Sequence, residues 1–129
     1  MTQPKQLQQQ AEKLREQEHF FKALVTYQQA INGYLKQQNL ESIAETYQGI
    51  AETYKHLYLQ LEQKTYLNLG LASVNTSLHL LKNKDSNWIA NAYQIKAQLK
   101  HLAGSLNQAI KDYQKTIKIY PEQDALKGR

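Results

Sequence analysis

The chain has 129 residues, with Lys+Arg 16 against Asp+Glu 11, a net charge of +5 and an isoelectric point near 9.3. That length makes one domain with one core, and 41% hydrophobic with 21% charged residues is the make-up of an ordinary globule, not of a disordered chain. The absence of cysteine excludes a disulfide framework, a thiolate metal site and a cysteine nucleophile, and five glycines with two prolines argue against a turn-rich all-β fold.

The N-terminus, MTQPKQLQQQAEKLREQE, is polar and carries no apolar run of signal-peptide length. Thr2-Gln3-Pro4 reads as a helix start, since proline is tolerated in a first turn. Leu7, Ala11 and Leu14 then recur at helical spacing. Glu18-His19 forms a corner, and Phe20 or Phe21, Leu24, Tyr27, Ile31 and Tyr34 make a second apolar stripe. Ser42 to Glu45 has the spacing of a capping box, followed on one face by Ile43, Tyr47, Ile50, Tyr54 and Leu57.

From Leu57 to Tyr66 no glycine or proline marks a turn; a break near Glu62–Lys64 competes with one long helix from Ser42 to Leu81. The greasiest stretch, Leu67 to Leu81, is interrupted by Asn68, Ser73, Asn75, Thr76, Ser77 and His79 and is too polar for a membrane span. Cytoplasm is the default compartment. Asn83 to Asn87 is a loop. Trp88, Ala92, Ile95, Leu99, Leu102 and Leu106 then step by four and three. Gly104 suits a left-handed helix end, and Ser105 to Gln108 forms another capping box. Ala109, Tyr113, Ile117 and Tyr120 form the last stripe, which Pro121 is expected to end; residues 122–129 read as the start of a further helix or a tail.

The expected fold is all-α: one domain over residues 1–129, with three helical hairpins at roughly 4–38, 42–82 and 87–120. The third hairpin, AYQIKAQLKHLAGSLNQAIKDYQKTIKIYP, sets aromatic Tyr93, small Ala97, turn Gly104, small Ala109, aromatic Tyr113 and terminal Pro121 in order. It resembles the tetratricopeptide repeat, a helix–turn–helix unit of 34 residues. The first hairpin matches through Leu7, Ala11, Leu14, Ala23, Tyr27 and Ala30, and the second through Tyr47, Ile50, Ala51 and Tyr54. The small residues Ala11, Ala51 and Ala97 are spaced by 40 and then 46, longer than the family's unit. Lys96 and Lys100 stand where the family has apolar residues, which implies a rotated helix.

The resemblance implies a right-handed stack of about three hairpins, an α-α superhelix, whose first helices line a concave groove that binds a protein or peptide without catalysis. Aligned on their small residues, those helices show three rows: Gln8, Gln48 and Gln94; Glu12, Glu52 and Gln98; Arg15, Lys55 and His101. A glutamine ladder offers donors and acceptors to an extended backbone. The paired Lys and Asn positions by which some members hold a partner's C-terminal carboxylate are occupied here by Gln8, Glu12 and Gly49, so that clamp is not expected.

Residues 1–62 carry six basic and seven acidic side chains, so the positive excess, +6, belongs to residues 63–129. Lys111, Lys115 and Lys118 follow one face of the last helix, and Lys96 and Lys100 one face of the helix before. An alternative function is therefore binding of nucleic acid or an acidic partner along this stripe, though only two arginines, Arg15 and Arg129, are present and neither sits on it. Self-assembly through the terminal hairpin is a third. His19, His56, His79 and His101 include no pair three or four apart, so no helical metal pair is expected. There is no glycine-rich phosphate loop and no G-x-S-x-G elbow. No enzyme, cofactor, metal or membrane role is expected.

Overall fold

The structure is a computed structural model, and it describes the backbone of residues 2–126 and the side chains of residues 2–119. Six helices follow one another: α1 (Pro4–Glu16), α2 (Phe20–Lys36), α3 (Leu40–Leu61), α4 (Lys64–Leu80), α5 (Trp88–Leu102) and α6 (Leu106–Leu126). No strand occurs among the described residues.

The turns explain how so few glycines suffice. Each inter-helix turn holds one residue in the left-handed region: Glu18, Gln38, Glu62, Asn83 and Gly104. Only the last is a glycine. The break between α3 and α4 is therefore real and falls at Glu62, φ 57°, which excludes the single long helix. The start of α3 differs from the expected capping box. Asn39 is the N-cap and its side chain accepts from the Ser42 amide at 3.1 Å, leaving Glu45 free to reach another helix. Pro121, expected to end the last stripe, lies inside α6. A proline there removes the bond to the carbonyl of residue 117. Ile117 itself is exposed. The further helix expected from residue 122 is thus the continuation of α6 as far as Leu126; residues 127–129 lie outside the described residues.

Packing is sequential. Each helix lies against the next in the chain, α1 also meets α3, and α3 also meets α5; the described residues make no other helix–helix pairing. The apolar residues form two clusters where one was expected. Ala11, Ala23, Tyr27, Ala30, Ile31, Tyr34, Ile43 and Ile50 join α1, α2 and α3. Ala51, Leu67, Val74, Ala92, Ile95 and Leu99 join α3, α4 and α5. The two meet on α3, where neighbours Ile50 and Ala51 serve different clusters.

Close approach explains the small residues. Ala11, Ala51 and Ala97 are all fully buried. At Gly49 an added Cβ would lie 2.7 Å from the Tyr27 ring, so the ring of α2 rests directly on the α3 backbone. Buried hydroxyls on these helices bond back one turn, as Thr46 does to the Ser42 carbonyl and Thr53 to that of Gly49, both at 2.7 Å. That satisfies the polar atom without a partner helix. Of the expected seam on α5, Ala92, Ile95, Leu99 and Leu102 pack in the second cluster. Leu106 instead opens α6 and is 54% exposed.

Candidate functional site

The contacts between α1 and α3, and between α3 and α5, line up the predicted rows as a ladder. Gln8 donates from Nε2 to Glu45 Oε2 at 2.5 Å and accepts from the Tyr34 hydroxyl at 2.6 Å. Forty residues on, Gln48 accepts from Asn91 Nδ2 at 2.5 Å and donates to the Ser77 hydroxyl at 3.0 Å and the Trp88 carbonyl at 2.9 Å. Arg15 Nη1 lies 4.0 Å from Glu52 Oε2, and Lys55 Nζ donates to Gln98 Oε1 at 2.7 Å.

These four contacts follow one rule. Gln8 and Gln48 are 40 apart, while Glu45 and Asn91 are 46 apart; Arg15 with Lys55, and Glu52 with Gln98, repeat the same offsets. Each first helix grips the next through the same two positions.

Two of the three expected ladder glutamines are therefore not open to a ligand. Gln8 and Gln48 are buried, with their amides engaged inside the fold. The physical reason is that a first helix abutting its successor places this row at the contact line and not on the free wall. Gln94, the third member, is partly exposed and lies on α5, beyond which no further first helix occurs among the described residues.

The free wall holds what remains. One cleft of about 230 Å³ is lined by Glu12, Arg15, Glu45, Gln48, Gly49, Glu52, Trp88, Asn91 and Ile95. A second, between α1 and the start of α3, is bordered by Lys5, Gln8, Glu12, Tyr34 and Glu45. Arg15 is held from two sides, since its Nε also donates to the Tyr27 hydroxyl at 3.2 Å. Glu52 takes Lys55 at 3.0 Å as well as Arg15. Glu12 lines both clefts.

Burial holds the Glu45 carboxyl above the usual carboxylate range, against the bond from Gln8, and the Glu12 charge pushes the same way. His56 stacks on Phe20 with ring centroids 5.9 Å apart. Burial and the neighbouring Lys55 hold its pKa below the ordinary histidine value, with Glu52 opposing. His101 is exposed at the end of α5.

Row reasoning missed Glu45, Asn91 and Trp88. Glu45 and Asn91 belong to a fourth row one turn earlier, Lys5, Glu45 and Asn91, at the same offsets of 40 and 46. Extending the face by three residues finds it. Trp88 carried no signal beyond the apolar seam.

The lysine stripe is only partly free. Lys100 Nζ lies 3.0 Å from Asp112 Oδ2, whose side chain is 4% exposed. That oxygen makes no directed hydrogen bond, so the pair is held by charge. Lys115 Nζ sits 4.8 Å from the Tyr93 ring centroid, a cation–π contact. Lys96, half-buried, has its pKa lowered by burial and by Lys100. Lys111 and Lys118 are exposed. Lys100 thus turns toward α6, on which Asp112 lies.

No family model, curated protein or solved structure matches this chain. Among the described residues no helix is long and apolar enough to cross a membrane.

Proposed function

We propose that the chain is a non-catalytic protein-binding scaffold, built as a right-handed tetratricopeptide-like stack whose first helices α1, α3 and α5 form the recognition wall. The recurrence of the same first-helix contacts at offsets of 40 and 46 supports the stack. Sequential packing and the division of the core into two clusters are what a quasi-one-dimensional repeat produces, because each unit buries its faces only on its neighbours.

The observation that carries the binding reading is the cleft spanning all three first helices. It brings Glu12, Arg15 and Glu52 into one lining with Trp88 and Ile95, charged and apolar groups together. A ligand there is an extended segment that offers a basic side chain to Glu12 and an apolar one to Trp88. The engaged glutamines Gln8 and Gln48 act as struts of the wall and not as contacts.

The test is a displayed library of short peptides selected on the full chain, with recovered binders measured by fluorescence anisotropy. Binders should share a basic and an apolar residue and should weaken by about tenfold or more on Glu12→Arg, which reverses one charge of the wall. Selection that yields nothing, or binders indifferent to Glu12→Arg, would refute the wall.

A further inference from the structure

Glu12 and Glu45 stand where the two clefts of the wall meet, since both residues line both clefts. They come from different helices, Glu12 from α1 and Glu45 from α3. Neither carboxylate has an ion-pair partner among the described residues. The carboxylates that do are Glu52, which draws Arg15, Lys55 and His56 together, and Asp112, which takes Lys100. Arg15 and Lys55 are thus spent on Glu52, and no cation is held between Glu12 and Glu45.

Glu45 is already positioned for a contact. The Tyr34 hydroxyl donates to Gln8 Oε1, which orients the Gln8 amide so that Nε2 donates to Glu45 Oε2. The other oxygen, Oε1, takes no hydrogen bond among the described residues. A carboxylate fixed by one oxygen across a helix contact loses little freedom when a ligand takes the other.

The surroundings disfavour a bare charge there. Burial strips water from the Glu45 carboxyl and the Glu12 and Glu41 charges add repulsion, against the Gln8 bond and Lys5. Tyr34 faces it from α2. The two linings together set Lys5 and Arg15 against Glu12, Glu45 and Glu52, so they are negative within a chain of net charge +5. A cation seated between Glu12 and Glu45 relieves the repulsion and replaces the lost hydration.

On the proposed wall, on which this rests, we infer that the basic side chain taken is arginine, its guanidinium spanning the junction from Glu12 to Glu45 Oε1. A guanidinium presents five donors in a planar fork and can serve two carboxylates on different helices at once. An ammonium is a compact, strongly hydrated point charge. Trp88 and Ile95 belong to the same lining, and the guanidinium, being the more weakly hydrated, gives up less on entering it. Glu45 is therefore the residue that sets arginine apart from lysine.

The probes are fluorescein-labelled glycine–serine peptides carrying one leucine and one basic residue, at every separation from one to five and in either order. Each is made in an arginine and a lysine version, and its anisotropy is titrated with the full 129-residue chain. The best arginine peptide should bind about tenfold more tightly than its lysine version. Glu45→Gln keeps an oxygen for Gln8 and removes the charge. It should weaken the arginine peptide by about tenfold and bring the two versions within about twofold of each other. Glu41→Gln removes the same charge outside both linings and should change binding by less than about twofold. From about pH 7 to about pH 5 the parent should lose affinity as Glu45 takes a proton, and Glu45→Gln should give a flatter profile.

Arginine and lysine versions that bind equally overturn the inference, as does a preference that survives Glu45→Gln. An equal effect of Glu41→Gln would reduce the preference to net charge and overturns it too. All three leave the wall standing, because its own test is Glu12→Arg. Failure of every peptide in both versions to bind removes the wall and the arginine site together.

Discussion

Gly49 is where the α2–α3 contact can be tested with a single methyl group. A Cβ at this position would lie 2.7 Å from Cζ and Oη of Tyr27 and 2.8 Å from its Cε1. The ring has little room to withdraw, because Tyr27 is fully buried and its hydroxyl takes a hydrogen bond from Arg15. Overpacking of a core costs about 1–3 kcal/mol, and a clash with a fixed aromatic ring belongs at the upper end of that range. Alanine returns about 1 kcal/mol of helix propensity, since Gly49 lies in the interior of α3. The net loss is about 2 kcal/mol, or roughly 6–10 °C in melting temperature for a domain of this size. Thermal and urea unfolding followed at 222 nm measure it. In a Tyr27→Leu background the clash disappears, so Gly49→Ala should become stabilising, with a coupling of about 3 kcal/mol in the double-mutant cycle. An unchanged or higher melting temperature for Gly49→Ala alone would refute the close approach of α2 to α3.

Three further substitutions probe the wall and the last hairpin. Gln48→Leu leaves Asn91, Ser77 and the Trp88 carbonyl without their partner; it should cost about 2 kcal/mol by urea unfolding even though leucine is the more apolar residue. Lys100→Ala strands the buried Asp112 carboxylate and should cost about 3 kcal/mol, most of which Asp112→Asn in the same chain should recover. Because burial and Lys55 lower the His56 pKa, the unfolded chain binds that proton more readily than the folded one. The stability His56 contributes is therefore full above the ordinary histidine pKa and is lost as pH falls through it toward the folded value. His56→Phe keeps the stack on Phe20 and removes the proton, so the difference in unfolding free energy between variant and parent should grow in the variant's favour on acidification below pH ~6.5.

Much of the fold was legible because helical spacing is a strong signal and the small residues mark contact lines. Ala11, Ala51 and Ala97 are buried as the hairpin reading required, and the seam from Ala92 to Leu102 packs as expected. What misled was chemistry that does not follow spacing. Glu62 turns the chain without glycine, because a left-handed residue costs only about 1–2 kcal/mol and the packing of α3 on α4 exceeds that. Pro121 reads as a stop, yet α6 continues past it with the loss of one backbone hydrogen bond. The Ser42–Glu45 pair has the spacing of a capping box, but Asn39 lies closer to the helix start and takes the amide first.

The glutamine row departs from its expected exposure for a more general reason. Register places residues on a face, and it does not say whether that face looks at solvent or at the next helix. Gln8 and Gln48 lie in the expected row and are buried, because each first helix rests on its successor along that line. The same geometry makes the third member informative. Gln94 occupies an identical position with no successor among the described residues, so a residue type chosen for an internal strut is there turned outward. A row that is structural in two helices is thus partly open to solvent in the third.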